Sequence, residues 1–173
     1  MKKVNIIIGR FQPFTNGHMK CVEYAYEKNH CKTVILIVDT VKQDNRHPFK
    51  TVDLYPMFNL MKKNSELIED YVLVKNADIV KNGEKLKSMG YEITGWVCGT
   101  DRYDNYKKMS DKYGKDILSD DFEVIEVPRG DEDVSATKAR EALLNDDEKT
   151  FSKLCPKEFS KNFKKLKSII DSI

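Results

Sequence analysis

The sequence lacks most of the features that would place a protein in a membrane, outside the cell or on a nucleic acid. No apolar run among the 173 residues approaches the roughly 20 that a transmembrane helix requires. The 4 cysteines lie far apart and form no C-x-x-C pair, which argues against a zinc site and favours reduced thiols. With 30 basic and 28 acidic residues, the net charge is only +2, which gives no indication of nucleic-acid binding.

The composition, with 40% hydrophobic and 34% charged residues, is that of an ordinary globular protein. The basic start Met1-Lys2-Lys3 is followed by an apolar stretch that is too short for a signal peptide, so we expect a cytoplasmic protein. No internal repeat, low-complexity tract or linker-like stretch interrupts the sequence. We therefore expect a single domain over residues 1–173, long enough for a full core, with a C-terminal helical segment over about 149–173.

Short apolar runs alternate with segments of helical periodicity. The runs that predict strands are 4–8, 32–38, 71–75, 92–98 and 121–127. The segments that predict helices begin near residue 17 and then cover 51–63, 79–89, 103–114, 134–144 and 149–154. This alternation is typical of βαβ units and predicts an α/β fold with a Rossmann-like, five-stranded parallel sheet and flanking helices.

The C-terminal residues carry an amphipathic pattern flanked by lysines. Spacings of 4, 3, 4 and 3 join Phe159, Phe163, Leu166, Ile170 and Ile173, and predict one helix with a single apolar face. A basic amphipathic helix can bind a membrane surface, and the same pattern can pack against the body of the protein with its lysines in solvent. We favour packing and expect no membrane partner.

The stretch from Gly9 to His18 connects the first predicted strand to the first predicted helix. Open α/β sheets bind ligands beyond the carboxyl ends of their strands, and a helix N-terminus at that edge favours a phosphate. Gly9 and Gly17 allow close approach of the backbone, Arg10 supplies a cation, and Thr15 and His18 supply donors. The residue types therefore indicate a phosphate-binding connection.

Two known motifs resemble this stretch. Thr15-x-Gly17-His18 resembles the (His/Thr)-x-Gly-His motif of the nucleotidyltransferase superfamily. The string over 9–14, Gly-Arg-Phe-Gln-Pro-Phe, resembles the nicotinamide mononucleotide (NMN) adenylyltransferases of the archaeal type, which usually have His where this chain has Thr15. The string over 13–18 resembles phosphopantetheine adenylyltransferases instead.

Residues 134–140, Val-Ser-Ala-Thr-Lys-Ala-Arg, resemble the second signature of the superfamily, Ile-Ser-x-Thr-x-Ile-Arg. The two signatures lie about 120 residues apart, and a third segment, Gly99–Arg102, directly follows the fourth predicted strand. In a parallel sheet all three segments would share one edge, which predicts a common nucleotide site.

The resemblance implies nucleotidyl transfer, in which an acceptor phosphate attacks the α-phosphorus of a nucleoside triphosphate and pyrophosphate leaves. The attacking phosphate is already an anion, so positioning and charge neutralisation carry the rate and no general base is needed. His18 would donate to the α-phosphate, Thr15 and the helix start at Gly17 would hold the triphosphate, and Arg10 would neutralise pyrophosphate or the acceptor phosphate.

The same resemblance assigns further residues to the nucleotide. Ser135, Thr137 and Arg140 would bind the β- and γ-phosphates, Asp101 the ribose, and Mg²⁺ would sit on the phosphates largely through water, without protein ligands. The expected catalytic residues are Arg10, Thr15 and His18, and the expected nucleotide-binding residues are Gly9, Arg10, Phe11, Thr15, Gly17, His18, Gly99, Asp101, Ser135, Thr137 and Arg140. Thr15, Asp101, Ser135 and Thr137 could also be plain helix caps.

The resemblance favours ATP and NMN as substrates, with NAD as the product, in a homo-oligomer that binds no nucleic acid. A flat, cationic nicotinamide ring needs an aromatic face, which Phe49, Trp96, Tyr103 or Tyr106 could supply. The segment His47-Pro48-Phe49 is similar to an Arg/Asn-Pro-Phe segment of that family, although Phe49 could equally anchor a core. Phosphopantetheine with ATP, an alcohol phosphate with CTP, and a nucleotide sensor or scaffold without turnover remain alternatives.

Overall fold

Strands and helices alternate along the chain as the sequence predicts. The computed structural model describes the backbone of residues 1–128 and 132–173 and the side chains of 1–128 and 135–173. Within these residues the strands are β1 (Lys2–Gly9), β2 (Thr33–Val38), β3 (Ile68–Val74), β4 (Tyr91–Cys98) and β5 (Leu118–Glu126). The helices are α1 (Asn16–Asn29), α2 (Thr51–Asn64), α3 (Ile79–Ser88), α4 (Thr100–Tyr113), α5 (Glu132–Leu144), α6 (Glu148–Leu154), α7 (Lys157–Ser160) and α8 (Phe163–Asp171).

The five strands form one sheet in the order β3-β2-β1-β4-β5. Every pairing is parallel, and central β1 pairs Ile6 with Val34 of β2 on one side and with Trp96 of β4 on the other. The predicted Rossmann-like parallel sheet is therefore confirmed. The strand order reverses at β1, and such reversal points are where doubly wound sheets open a crevice for ligands.

Some predicted boundaries shift in the structure. Helix α4 begins at Thr100 and not at Tyr103, because Gly99 takes the N-cap position. Strand β5 begins at Leu118, three residues before the predicted start, and the additional residues include the exposed Asp120. The loop predicted over 128–133 lies partly outside the described residues, which resume at 132 with α5.

The prediction of one helix after residue 159 is wrong. The chain forms α7 and α8, interrupted at Lys161 and Asn162. Asn162 breaks the helix because its side-chain Nδ2 donates to the Glu158 carbonyl at 2.9 Å, and such local bonds compete with helical ones. The apolar stripe is buried from Phe159 to Ile170, whereas Ile173 is 51% exposed. The C-terminal extension is therefore helical and packed along most of its predicted face.

The chain divides into two compact units whose segments interleave in sequence. Unit 1 comprises residues 1–9, 21–38 and 66–130, and it contains the sheet, most of α1, α3 and α4. Unit 2 comprises residues 10–20, 39–65 and 131–173, and it contains the first turn of α1, α2 and α5 to α8. The single domain expected over 1–173 stays a prediction. None of the helices within the described residues combines the length and apolar character that crossing a membrane requires.

Apolar side chains cover one face of the sheet in unit 1. Ile6 and Leu36 of the central strands pack there with Trp96, together with Leu86 of α3 and Tyr106 of α4. Trp96 and Tyr106 stack with ring centroids 3.8 Å apart and planes 16° from parallel. Strands with such continuous apolar runs are typical of parallel sheets that are buried on their faces.

A buried amide ties β1 to the end of α1. Asn5 is fully buried, and its Nδ2 donates to Asn29 Oδ1 and to the Cys31 carbonyl, both at 3.0 Å. Asn29 Nδ2 donates back to Asn5 Oδ1 at 2.6 Å. Buried polar groups need such partners, so the Asn5 side chain cannot turn away without losing several bonds. Gly95 of β4 pairs with Asn5 in the sheet register and leaves room for the amide.

We predict that Gly95→Ala destabilises the protein by about 1–3 kcal/mol, the usual cost of overpacking a core. An added Cβ would overlap Asn5 Oδ1 and lie 2.7 Å from Ile125 Cδ1. Urea unfolding measures the change. In an Asn5→Ala background the same substitution should cost less, because the amide that obstructs the Cβ is gone. An equal cost in both backgrounds would contradict this account of Gly95.

Candidate active site

The first signature spans the connection from β1 and the first residues of α1, here together called the signature loop (residues 10–18). It lies in unit 2, and Thr15 immediately precedes α1, with the Met19 amide donating to its carbonyl at 3.1 Å. Phe11 adopts a φ of 53°, in the left-handed region that bulky residues rarely occupy. Such backbone persists where the surroundings over-determine it, which is frequent at functional sites.

His18 is held in one tautomer by the start of its own helix. The Thr15 backbone N–H donates to His18 Nδ1 at 2.9 Å, and Thr15 Oγ1 lies 3.2 Å from the same atom. Because a backbone N–H can only donate, Nδ1 must be the acceptor, and the neutral ring carries its proton on Nε2. Burial lowers the pKa of His18 to about 3. His18 is therefore a neutral imidazole with Nε2–H as its donor.

Aromatic rings surround this imidazole. Phe11 meets it edge-on, with centroids 5.0 Å apart, and Phe14 lies at 5.1 Å. Phe58 of α2 and Phe159 of α7 pack against Phe14 at 6.0 and 6.1 Å. All of these rings belong to unit 2. They exclude water from one side of the imidazole, which is the physical cause of its lowered pKa.

Gln12 joins the signature loop to the segment 39–51, which follows β2. Its Nε2 donates to the Phe49 carbonyl at 2.9 Å, and the Phe49 N–H donates to Gln12 Oε1 at 2.9 Å. The segment closes on itself where the Thr51 N–H donates to the Thr40 carbonyl at 3.1 Å. Gln12 is 4% exposed, so these bonds are shielded from water. The two-point contact fixes the segment on the loop.

Arg10 is exposed, and its guanidinium is oriented by the same segment. Its Nη1 donates to the Asp39 carbonyl at 3.0 Å and to Thr40 Oγ1 at 3.1 Å. Both acceptors are neutral, so they orient the side chain without neutralising its charge. Arg10 thus presents a positioned cation at the start of the signature loop within unit 2.

The second signature lies on α5, and the structure brings its arginine to the signature loop. Arg140 Nη1 donates to the Gln12 carbonyl at 2.8 Å, and Nη2 lies 3.3 Å from Thr137 Oγ1. Arg140 and Ser135 are half-buried and Thr137 is exposed. Two segments about 120 residues apart in sequence therefore meet in unit 2 through one guanidinium, and the common nucleotide site expected for them stays a prediction.

Thr15 differs from its sequence-based interpretation. The side chain has no exposed surface, and its hydroxyl contacts His18. In this structure Thr15 therefore serves the histidine, and its direct contact with a triphosphate stays a prediction. Gly17 lies half-buried in the first turn of α1, where the first amides of a helix have no intrahelical partner.

The remaining candidates lie in unit 1: Gly9 is half-buried as the last residue of β1, and the others lie on β4 or at the start of α4. Gly99 is buried at the N-cap of α4, Asp101 is exposed in its first turn, and Tyr103 is half-buried. Trp96 is fully buried, and its Nε1 has no hydrogen-bond partner among the described residues. The ribose role of Asp101 stays a prediction, as does the role of Tyr103.

Phe49 and Trp96 do not form an open aromatic face. Both side chains have 0% exposure, Phe49 in unit 2 and Trp96 in unit 1. Phe49 takes the core-anchoring position that the sequence allowed as its alternative role. In this structure neither ring can stack on a substrate, because protein covers both, and their place in an acceptor pocket stays a prediction.

No role at the site is predicted from the sequence for Gln12, Phe58 or Phe159. For Gln12 a signal was present, because a polar side chain between Phe11 and Pro13 in an aromatic stretch needs a buried partner. The phenylalanines gave no such signal, since any buried helix face shows their spacing. Among residues whose side chains are described, no group of three or more His, Cys, Asp or Glu could hold a metal ion.

The fold is a parallel α/β fold with a histidine-bearing segment after its first strand. The chain matches the cytidylyltransferase-like family over residues 6–142 and belongs to that family, within the nucleotidyltransferase superfamily. No protein of curated function is similar enough in sequence to match it.

Solved structures share the fold at low sequence identity. A candidate nicotinate-nucleotide adenylyltransferase from Vibrio parahaemolyticus superposes with a TM-score of 0.64 at 15% identity, covering 96% of this chain and 95% of that chain. The nicotinic acid mononucleotide adenylyltransferase of Plasmodium falciparum, complexed with APC, gives 0.58 at 15% identity, with coverages of 99% and 98%. A bifunctional NMN adenylyltransferase/ADP-ribose pyrophosphatase from Francisella tularensis, complexed with AMP and a manganese ion, gives 0.58 at 14% identity, with coverages of 99% and 52%.

We predict that His18 keeps its Nε2–H tautomer and stays uncharged from pH 8 down to pH 5. A ¹⁵N–¹H correlation spectrum of the imidazoles would report both properties. Because the native pKa of about 3 lies below the ordinary 6.5, the unfolded chain binds a proton that the native state excludes. This contribution therefore lowers stability as pH falls from 6.5 towards 3, by up to about 1.4 kcal/mol per pH unit. A His18 signal that titrates near pH 6.5 would disprove the assignment.

Proposed function

We propose that the protein is an adenylyltransferase that moves the adenylyl group of ATP onto the phosphate of NMN, giving NAD and pyrophosphate. A phosphate oxygen of NMN forms the new bond to the α-phosphorus, and the bond from that phosphorus to the oxygen bridging to the β-phosphate breaks. The observation that carries the proposal is a neutral His18 whose proton is fixed on Nε2. Arg140 of α5 donates to the Gln12 carbonyl of the same loop.

His18 suits the α-phosphate because it donates without carrying charge. Its Nε2–H would bond to a non-bridging oxygen of that phosphate, where negative charge changes most as the bonds exchange. A donor fixed in advance in apolar surroundings stabilises such charge without reorganising during the reaction. The Thr15 N–H supports this role from the opposite side of the ring, since it keeps the second nitrogen as an acceptor.

Positive groups of unit 2 would neutralise the phosphates. Arg140 would bind the β- and γ-phosphates from α5, and Arg10 the pyrophosphate or the acceptor phosphate. The free amides at the start of α1 around Gly17 add further donors and a partial positive charge. Mg²⁺ would enter with ATP as part of the substrate, held by phosphate and water.

Two likenesses favour NMN as the acceptor. The string over 9–14 resembles the NMN adenylyltransferases, and the solved structures of similar fold include enzymes named for nicotinate and nicotinamide nucleotides. Thr15 instead resembles the phosphopantetheine enzymes, and the name of the family points to CTP. Phosphopantetheine with ATP and an alcohol phosphate with CTP are therefore the competing substrate pairs.

The proposal is tested by offering ATP and CTP in turn with NMN, nicotinate mononucleotide, phosphopantetheine and glycerol 3-phosphate, and following pyrophosphate release. We expect release with ATP and NMN, and NAD on chromatography of the products. Dephospho-coenzyme A or a CDP-alcohol would overturn the acceptor but retain nucleotidyl transfer. No pyrophosphate from any pair would overturn the proposed function and favour a nucleotide sensor.

We predict that His18→Ala lowers kcat by about 10²–10³, the usual effect of removing one donor to developing charge. The affinity for ATP should change much less, because Arg140 and the helix start would still hold the phosphates. Steady-state kinetics and calorimetry measure the two quantities. His30→Asn provides the control, since it removes an exposed imidazole at a φ of 58° that asparagine tolerates. Near-normal kcat in His18→Ala would remove His18 from the mechanism.

A further inference from the structure

Residues beyond the family match contact the signature loop. The match ends at residue 142, whereas α6 and α7 cover Glu148–Leu154 and Lys157–Ser160. From α7, Phe159 stacks on Phe14 of the loop, with centroids 6.1 Å apart and planes 25° from parallel. From α6, the Lys153 carbonyl accepts from Asn16 Nδ2 at 3.0 Å. Both contacts lie within unit 2.

We propose that α7 forms a positioning element for His18, with Phe159 as its principal residue. Phe159 fixes the Phe14 ring against which the imidazole packs. The catalytic importance of this arrangement rests on the proposed function. The placement itself rests only on the contacts within unit 2.

Phe14 links the two ends of this arrangement. Its ring lies 5.1 Å from the His18 ring and 6.1 Å from the Phe159 ring, and both phenylalanines are fully buried. Close-packed interiors have few voids, so a change in the volume of Phe159 must be taken up by its neighbours. Phe14 contacts both rings, so a shift of Phe14 towards the space left at Phe159 would alter the packing of His18.

Phe159 is also held by α2 through Phe58, which contacts Phe14 as well. Its ring meets Phe58 of α2 edge-on at 5.2 Å. Beside it, Asn64 Nδ2 of α2 donates to Glu158 Oε2 at 3.0 Å, and Lys165 Nζ of α8 donates to the Asp53 carbonyl at 3.4 Å. Because Phe58 and Asn64 of α2 contact α7, Phe159 is held in place against Phe14.

The ring contact also fits the electrostatics of His18. Burial is the cause of its lowered pKa, and the Phe14 ring supplies part of that burial. A cavity at Phe159 would let Phe14 retreat and water approach the imidazole. The tautomer and the charge of His18 should therefore respond to a substitution of Phe159 in α7, because Phe14 joins the Phe159 ring to the imidazole.

The chain offers a matched control in Phe151 of α6. Phe151 and Phe159 are both fully buried phenylalanines of the C-terminal segment. The ring contact described for Phe151 is with Phe163 of α8, at 5.6 Å, and not with the signature loop. Phe151→Leu and Phe159→Leu therefore remove the same atoms from the same segment, and only the second withdraws support from Phe14.

The experiment compares the two variants in the full chain by three measurements. Urea unfolding should show similar losses of stability. The imidazole ¹⁵N–¹H spectrum should show altered His18 signals, with a raised pKa, in Phe159→Leu and wild-type signals in Phe151→Leu. With ATP and the acceptor found above, Phe159→Leu should lower kcat about tenfold or more, because misplacing a reacting group by an ångström is costly, with KM for ATP within about twofold.

Wild-type His18 signals in Phe159→Leu, or an equal change in Phe151→Leu, would overturn the inference. If Phe159→Leu does not fold, Phe159→Met replaces it, since an unbranched side chain of similar reach fills core gaps well. The spectrum needs no substrate, so it decides the placement of His18 independently of catalysis. An inactive wild-type protein would overturn the proposed function alone.

Discussion

The hydrogen bond from the Thr15 N–H to His18 Nδ1 is the interaction on which the candidate site depends. The first amides of a helix have no intrahelical partner, and a side chain three residues after the N-cap can reach back to accept from the N-cap amide. Glutamate does this in ordinary capping boxes. Here His18 takes that position, so one bond both completes the start of α1 and decides which imidazole nitrogen carries the proton. The same hydrogen bond therefore caps the helix and leaves Nε2–H of His18 as the donor.

A histidine held in this way has consequences for the rest of unit 2. The signature loop also contains Gln12, a buried polar residue whose groups need hydrogen-bond partners. The Gln12 amide finds its partners on the backbone of Phe49, and the Gln12 carbonyl accepts from Arg140. The hydrogen bonds of the buried Gln12 therefore hold both the segment after β2 and Arg140 of α5 against the loop that carries His18.

The sheet could be predicted from the sequence because buried parallel strands are continuous apolar runs bounded by polar turns. The pairing of the two signatures followed from the topology of such a sheet. The bond between Gln12 and Phe49, 37 residues apart, could not be predicted, because it depends on tertiary placement. The apolar stripe that begins at Phe159 indicated a buried helix face but not that Phe14 and Phe58 cover it. The turn at Asn162 could not be predicted because it depends on a single side-chain hydrogen bond.

In the proposed reaction the groups that contact phosphate cannot by themselves select the acceptor. His18 and Arg140 would meet features that every nucleoside triphosphate shares, so they favour the reaction type and not its second substrate. Selection must come from residues that contact the parts of the acceptor by which NMN, phosphopantetheine and an alcohol phosphate differ. The segment 39–51 is fixed to the signature loop by Gln12 and carries an exposed Arg46 and a half-buried His47. The hydrogen bonds of Gln12 thus fix the segment 39–51 to the signature loop, which makes this segment the candidate for acceptor selection in the proposed reaction.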